Sequence, residues 1–302
     1  MAHDEASARA ILYALLANLG IAIAKTWAAW FTGSGSMLAE AIHSYADAGN
    51  QVLLFVGMRQ ARRPADAEHP LGYGKLSYFW SFIVALLLFS VGGLFSIYEG
   101  LHKLLAPEPL NLPWVGMAVL AVAIVLEALS LAGALREIRR LRGEMPLLDW
   151  VRQTRSAELV VILGEDIAAL VGLAVAFGFL GLTVLTGDPV YDALGSVVIG
   201  AVLVTVSMFI AQRIRGLLVG RSAEPALRAV IDRIIAADPA IDRVLNTITV
   251  QMGPKVMLAA KIAMRRGLSI DEAVLRINEL ERRLKAEAPQ IGWCFVEPDL
   301  ED

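Results

Sequence analysis

Six stretches of this chain are long and apolar enough to be read as helices that cross a lipid bilayer, a requirement of about 20 residues each. They lie at roughly 9–31, 37–59, 78–103, 112–136, 157–182 and 189–213. Turn formers separate them: Gly33-Ser34-Gly35-Ser36, Pro64 and Pro70, Pro107 to Pro113, Pro146, and Gly187-Asp188-Pro189. Hydrophobic residues make up 57% of the chain, above the ~45–50% of an ordinary soluble protein. A net charge of -3 offers no basic surface, so nucleic acid is not an expected partner.

Loop charge predicts orientation, because Lys and Arg are retained on the cytoplasmic side. Arg59, Arg62, Arg63 and Lys75 flank the second loop, and Arg136, Arg139, Arg140, Arg142, Arg152 and Arg155 lie in the fourth. Arg213, Arg215 and Arg221 follow the sixth stretch, whereas the alternate loops hold almost only Lys103. Six spans with this bias place both termini in the cytoplasm. The lead-in Met1 to Arg9 carries Asp4 and Glu5 and no basic leader, so the expected location is a bacterial inner (plasma) membrane, multi-pass. An organellar form trimmed of its leader is the alternative.

From about Arg221 the pattern turns charged and soluble. Pro225 to Ala236 has a helical apolar rhythm stopped by Asp238-Pro239. Val244 to Val250 alternates as a strand, Gly253-Pro254 turns, and Val256 to Met264 returns. Ile270 to Ala286 is an amphipathic helix, and Trp293 to Val296 supplies a third strand. The expected architecture is a membrane all-α six-helix bundle over 1–215 followed by a soluble α+β domain of order αββαβ over 216–302.

Candidate chemistry sits inside the second stretch. Glu40, His43, Asp47 and Asn50 are spaced by three, four and three residues, which aligns them on one helix face. Ionisable groups at bilayer depth are costly and by default line a bundle interior or a water-filled path. His43 and Asp47, one turn apart, present an imidazole nitrogen and a carboxylate to one ion, a donor pair suited to zinc or a neighbouring first-row metal. A helix–helix hydrogen bond through His43 is the plainer alternative. Cys294 is the only cysteine, which excludes an internal disulfide and a thiolate-rich site, so ligands must be N and O donors.

The fifth stretch carries Glu165 and Asp166. Neighbours on a helix point about 100° apart, so the two cannot face one ion equally. Asp166 is the chosen ligand. Glu165 is left as a fourth ligand, a hydrogen-bond acceptor for His43, a proton carrier, or a protonated carboxyl bonded to a neighbouring helix. Glu127, alone in the fourth stretch, is either a proton-accepting residue or a packing partner. Asp192 opens the sixth stretch, where a carboxylate caps its own helix. In the loop after the second stretch, Asp66, Glu68 and His69 form a candidate metal-entry site, with simple solvation as the alternative. No His-Glu-x-x-His run or nucleophile–base pair is present, so an enzyme is not expected.

These residues carry a resemblance to the cation diffusion facilitator family. Ser36-Met37-Leu38-Ala39-Glu40-Ala41-Ile42-His43-Ser44-Tyr45-Ala46-Asp47 is similar to the family's second-helix signature. Pro64-Ala65-Asp66, His69-Pro70 and Gly72-Tyr73-Gly74-Lys75 resemble its following loop, and Asp188-Pro189 with Asp192-Ala193-Leu194 its sixth-helix entry. Glu165-Asp166, Tyr78-Phe79-Trp80 and Tyr98-Glu99-Gly100 look like the zinc transporter nine branch.

The resemblance implies a homodimer, six transmembrane helices, a metallochaperone-like tail, and export of a divalent metal in exchange for protons. It further implies one transport site between the second and fifth helices, usually of two ligands on each. Here Ile162 stands where the family usually has His, leaving His43, Asp47 and Asp166, with Glu165, Asn50 or water to complete the shell. Tyr73 replaces a second loop His, which weakens Asp66 and His69 as a metal site. Leu245, Lys261 and Glu297 stand where relatives have tail His ligands, so no tail zinc cluster is expected. The expected function is proton-coupled efflux of divalent metal, zinc first, with no resident cofactor. The alternatives are an exporter of Mn, Fe or Co, or a membrane-anchored interaction protein.

Overall fold

The computed structural model describes residues 18–107 and 109–301. The lead-in Met1 to Arg9 and the opening of the first expected span lie outside the described residues. Helix α1 is described over 18–32, and α2 is Gly35–Ala61. The third span is one helical run, Leu76–Leu105, made of α3 (Leu76–Leu87), a seven-residue π-helical segment (Leu88–Leu94) and α4 (Phe95–Leu105). Then follow α5 (Pro113–Arg142), a short α6 (Leu147–Gln153), α7 (Ala157–Thr186) and α8 (Val190–Val219).

Four of the described helical runs, Leu76–Leu105, α5, α7 and α8, are long and apolar enough to cross a membrane by length and composition. Helix α2 has 27 residues but carries Glu40, His43, Asp47 and Asn50 among them. Only 17% of the apolar window of α5 is buried, and Val122, Val125, Leu126 and Leu129 point outward. An outward face of that composition suits hydrocarbon, where the helix satisfies its own backbone.

Several helices outrun the apolar stretches that predict them. Helix α5 reaches Arg142 rather than 136, and α8 reaches Val219 rather than 213. Arg and Leu are good helix formers, so the polar ends stay helical until a glycine stops them. Gly143 and Gly220, at φ 58 and 124, are those stops. Helix α6 is not anticipated by the sequence reading at all; it starts directly after Pro146.

The chain divides into two compact units. One holds the residues through Gly57 together with Trp80–Met145 and Glu158–Arg213; the other holds Met58–Phe79, Pro146–Ala157 and Ile214–Asp302. Within the first, glycines let the third span meet α8 backbone to backbone. A Cβ on Gly200 would stand 2.7 Å from Gly93 O, and one on Gly100 would stand 2.7 Å from Ala193 O. Small residues at such a crossing are how apolar helices gain close packing where lipid supplies no hydrophobic drive.

The second unit is built on a three-stranded sheet. Helix α9 (Pro225–Ala236) begins on a proline, whose missing N–H costs nothing at that position. Strands β1 (Ile241–Met252) and β2 (Lys255–Met264) form an antiparallel hairpin around Gly253-Pro254, with Gly253 at φ 71. Helix α10 (Ile270–Glu287) then crosses over to β3 (Ile291–Pro298), which pairs parallel to β2, giving the order β1-β2-β3. Strand β1 starts earlier than its alternation suggests, because register shifts at Ile241/Arg243 and Val244/Asn246 break the two-residue period.

Helices α9 and α10 bury Ile231, Ile234, Ile235, Leu280 and Leu284 with Leu258, Ala260 and Ile262 of β2. The stretches Met58–Phe79 and Pro146–Ala157 belong to this unit. The Tyr78 hydroxyl donates to Gly253 O at 3.1 Å, and Arg155 donates through Nε to Ser222 O at 2.7 Å and through Nη2 to Ala223 O at 3.1 Å.

Leu284 is fully buried in this core, so Leu284→Ala should cost about 2–5 kcal/mol, read as a lowered thermal transition of the tail. Ser269 and Glu272 form a capping box on α10, and hydrogen bonds from Ser269 hold the Glu272 carboxyl below its ordinary range. Because the folded pKa is depressed, the stabilisation is present above the ordinary Glu value of about 4.3 and is lost as pH falls through the folded value. The backbone N–H of Ser269 is the larger cause and Ala retains it, so Ser269→Ala should raise the Glu272 pKa only part of the way in an NMR titration; a Glu272 returned to its ordinary value would contradict it.

Candidate metal centre

The polar face of α2 is set by how the helix begins. Gly33, at φ 68, ends α1 by donating its N–H to Ala29 O at 2.9 Å. The Ser34 hydroxyl then accepts from Met37 N at 3.1 Å. Asp192 on α8 accepts from Ser34 Oγ and from Gly35 N, each at 2.6 Å, and from Ser36 Oγ. The sequence reading assigns Asp192 to cap its own helix; instead its carboxylate caps the N-terminus of α2, where free N–H groups and the helix dipole favour a negative charge.

Down this face the expected residues appear in order. Glu40 and Asn50 are fully buried and His43 is 1% exposed. His43 Nε2 lies 3.4 Å from Asp47 Oδ2, within ion-pair reach, but neither ring nitrogen of His43 makes a hydrogen bond. Asn50 donates from Nδ2 to Glu165 Oε1 at 2.7 Å, which joins α2 to α7. Of the four roles left open for Glu165, this geometry is that of a carboxyl bonded to a neighbouring helix. Asp166 is next to it in sequence but half-buried, and among the described residues no three His, Cys, Asp or Glu side chains converge as a metal-holding group.

What distinguishes the region is the set of buried polar atoms with no hydrogen-bond partner. They include His43 Nδ1, Asp47 Oδ1, Asn50 Oδ1 and Asp166 Oδ2. Each such atom costs about 1–3 kcal/mol if nothing meets it. Nitrogen and oxygen donors of this kind are what a first-row divalent ion takes. Glu127 on α5 is partly buried and close enough to interact electrostatically with both Asp47 and Asp166.

One buried charge is missing from the sequence reading. Lys25 on α1 is fully buried; its Nζ lies 3.1 Å from Glu40 Oε2 and donates to Ser44 Oγ at 2.7 Å. A lysine in the middle of the apolar run Ile21-Ala22-Ile23-Ala24-Lys25 is itself the signal, since such a charge needs an internal partner.

The loop residues Asp66 and His69 are also near each other, with His69 Nδ1 3.6 Å from Asp66 Oδ1. The carboxylate is already engaged: it accepts from Tyr73 Oη at 2.6 Å, His69 N at 2.7 Å and Glu68 N at 3.1 Å. Tyr73, standing where relatives are expected to have His, thus closes the turn it belongs to. Its hydrogen bond is the main cause that holds Asp66 below the ordinary carboxylate range. In the tail, Lys261 pairs with Asp299 at 2.7 Å, and burial pushes the Cys294 thiol up to about 11, which makes it a poor thiolate donor.

Residues 11–216 match the family described as the cation efflux transmembrane domain. The chain is 36% identical over 260 residues to the proton-coupled zinc antiporter SLC30A9, mitochondrial, of Xenopus laevis, covering 84% of this chain and 45% of that protein. It is 31% identical to metal tolerance protein C4 of Arabidopsis thaliana, covering 83% of this chain and 56% of that protein. It is 27% identical to the cation-efflux pump FieF of Cronobacter sakazakii, covering 93% and 89%. The chain spans about half the length of the first two of these relatives.

These relatives overturn the expected bacterial inner membrane. The matches at 33–36% identity carry mitochondrial names, whereas the bacterial pumps match at 25–27%. The expectation rested on the residues before the first span, and in a chain that spans half of its relatives those residues carry no information about compartment.

Tyr73→Phe removes the donor that most lowers the Asp66 pKa. A carboxyl-detected NMR titration should show Asp66 moving up toward about 3.9; no movement would show that the backbone donors dominate.

Proposed function

The chain belongs to the cation efflux family, and from that premise we propose that it is a proton-coupled exporter of divalent metal, with zinc as its first cargo. The observation that carries this reading is the group of partnerless buried donors on α2 and α7: His43 Nδ1, Asp47 Oδ1, Asn50 Oδ1 and Asp166 Oδ2. Left empty in hydrocarbon they are costly, and a divalent ion or its exchanged protons would relieve them. The architecture proposed around them is a six-span bundle over 1–215 with a metallochaperone-like tail over 216–302, assembled as a homodimer.

In this reading His43, Asp47 and Asp166 are the ligands of the cargo. The donors are one imidazole and carboxylates, with no thiolate available, a set that zinc accepts. Neutral His43 and ionised Asp47 and Asp166 bind the ion, and protons compete for the same atoms, so release on the far side is coupled to proton uptake. Glu165 is held by Asn50 and serves to place Asp166 on the neighbouring position of α7. Glu127 is proposed as a proton-accepting residue beside the two aspartates, and Asp66 with His69 as a weak entry point only. The carboxylate-rich set also suits Mn, Fe and Co, which are the alternative cargos on the same mechanism. The relatives named as a zinc antiporter and as a cation-efflux pump support transport rather than catalysis.

In proteoliposomes holding the full chain, Asp47→Ala should abolish metal-driven proton movement, with zinc compared against Mn, Fe and Co across an imposed pH gradient. Exchange at the wild-type rate in that variant would sink the ligand assignment. A change in assembly without any change in metal movement would instead favour a membrane-anchored interaction protein.

A further inference from the structure

The Lys25–Glu40 pair occupies a second polar site on the same helix face, distinct from the proposed cargo donors. Lys25 and Glu40 are both 0% exposed, with 3.1 Å between Nζ and Oε2. The same ammonium donates to Ser44 Oγ at 2.7 Å, and Glu40 and Ser44 lie one turn apart on either side of His43. The second Glu40 oxygen, Oε1, has no hydrogen-bond partner and faces Gly172 on α7, where a Cβ would come within 2.5 Å of it. With no side chain of its own, Gly172 leaves room for Glu40 Oε1, which a Cβ there would displace. One lysine thus grips the turn of α2 that bears His43, while the carboxylate it holds seats against the helix that bears Asp166.

A buried ion pair is weak evidence of stabilisation, because removing two charges from water costs about as much as their attraction returns, and apolar residues of like volume often do as well. What such a pair supplies is a fixed position. It also removes Glu40 from the cargo: a carboxylate three residues before His43 would be a natural further ligand if no internal cation held it.

We propose that Lys25 is a positioning residue of the transport site. Its ammonium, shared by Glu40 and Ser44, fixes the rotation of α2 that presents His43 and Asp47, and it reserves Glu40 as a counter-ion rather than a ligand. This rests on the transport reading above. A rotation of α2 would misplace both donors together, weakening metal binding in the inward and outward states alike. Such a uniform loss raises KM and leaves kcat nearly unchanged.

The test is pH-gradient-driven zinc transport by the full chain in liposomes, comparing wild type with Lys25→Met, Lys25→Arg, Ser44→Ala and Gly172→Ala. Lys25→Met should raise the zinc KM by about tenfold or more with kcat within about threefold, and Lys25→Arg should recover most of the loss. Gly172→Ala, which touches neither His43 nor Asp47, should raise KM in the same way by displacing Glu40 from the α7 side. Ser44→Ala removes one acceptor without stranding a charge and should raise KM by about threefold, so it tests the idea even if Lys25→Met does not fold. Wild-type KM in both Ser44→Ala and Gly172→Ala would overturn the proposal, as would a fall in kcat alone. A wild-type protein that moves none of the four metals would instead overturn the transport reading itself.

Discussion

The carboxylate of Asp192 is the contact on which the membrane unit turns. It closes the open N–H end of α2 with three donors from Ser34, Gly35 and Ser36, two of them at 2.6 Å. In water those groups would be solvated for nothing; in an apolar bundle each needs a partner within the protein. Once the start of α2 is tied to α8 in this way, the 3.6-residue period dictates where Glu40, His43, Asp47 and Asn50 emerge. Each meets, or fails to meet, a partner according to that period. Glu40 finds Lys25 and Asn50 finds Glu165, whereas both ring nitrogens of His43 and Asp47 Oδ1 make no hydrogen bond. The pattern separates polar groups that hold the bundle from polar groups left available.

Much of this was legible in the sequence because it depends on local period. Spacing alone aligned Glu40, His43, Asp47 and Asn50, and the apolar runs located the four most apolar helical spans. Alternation and turn residues also gave the tail its αββαβ order, and the hairpin at Gly253-Pro254 follows from a glycine able to take φ 71. What was not legible is pairing between residues far apart in the chain. Asp192 lies 156 to 158 positions from the groups it binds, and no periodic argument connects them. Lys25 is hidden for a different reason: one cation hardly changes the hydropathy of a long apolar run, although its physical cost there is large. Compartment is not legible in the residues before the first span.

The tail obeys soluble rules throughout. Its core is aliphatic on one face of a central β2, its second helix is closed by a reciprocal Ser269–Glu272 cap, and its charged positions are paired outward, as Lys261 is with Asp299. Loop segments Met58–Phe79 and Pro146–Ala157 are part of the same compact unit, through Tyr78 and Arg155 among others. Pro146 and the buried side chain of Arg155 explain why a segment that looks like a plain basic loop in sequence contains a helical turn and a fixed guanidinium.

The glycines at the crossing of the third span and α8 have a bearing on movement. Gly93, Gly100 and Gly200 bring main-chain atoms close together, with the side chains of Val204, Val197 and Ile97 packed into the same crossing. Contacts this close leave the two helices little room to move independently. A small axial shift would press Val197, Val204 and Ile97, and the carbonyls of Gly93 and Ala193, into the facing helix. Relative movement of these two helices is thus opposed at the crossing itself, and they pack as one strut.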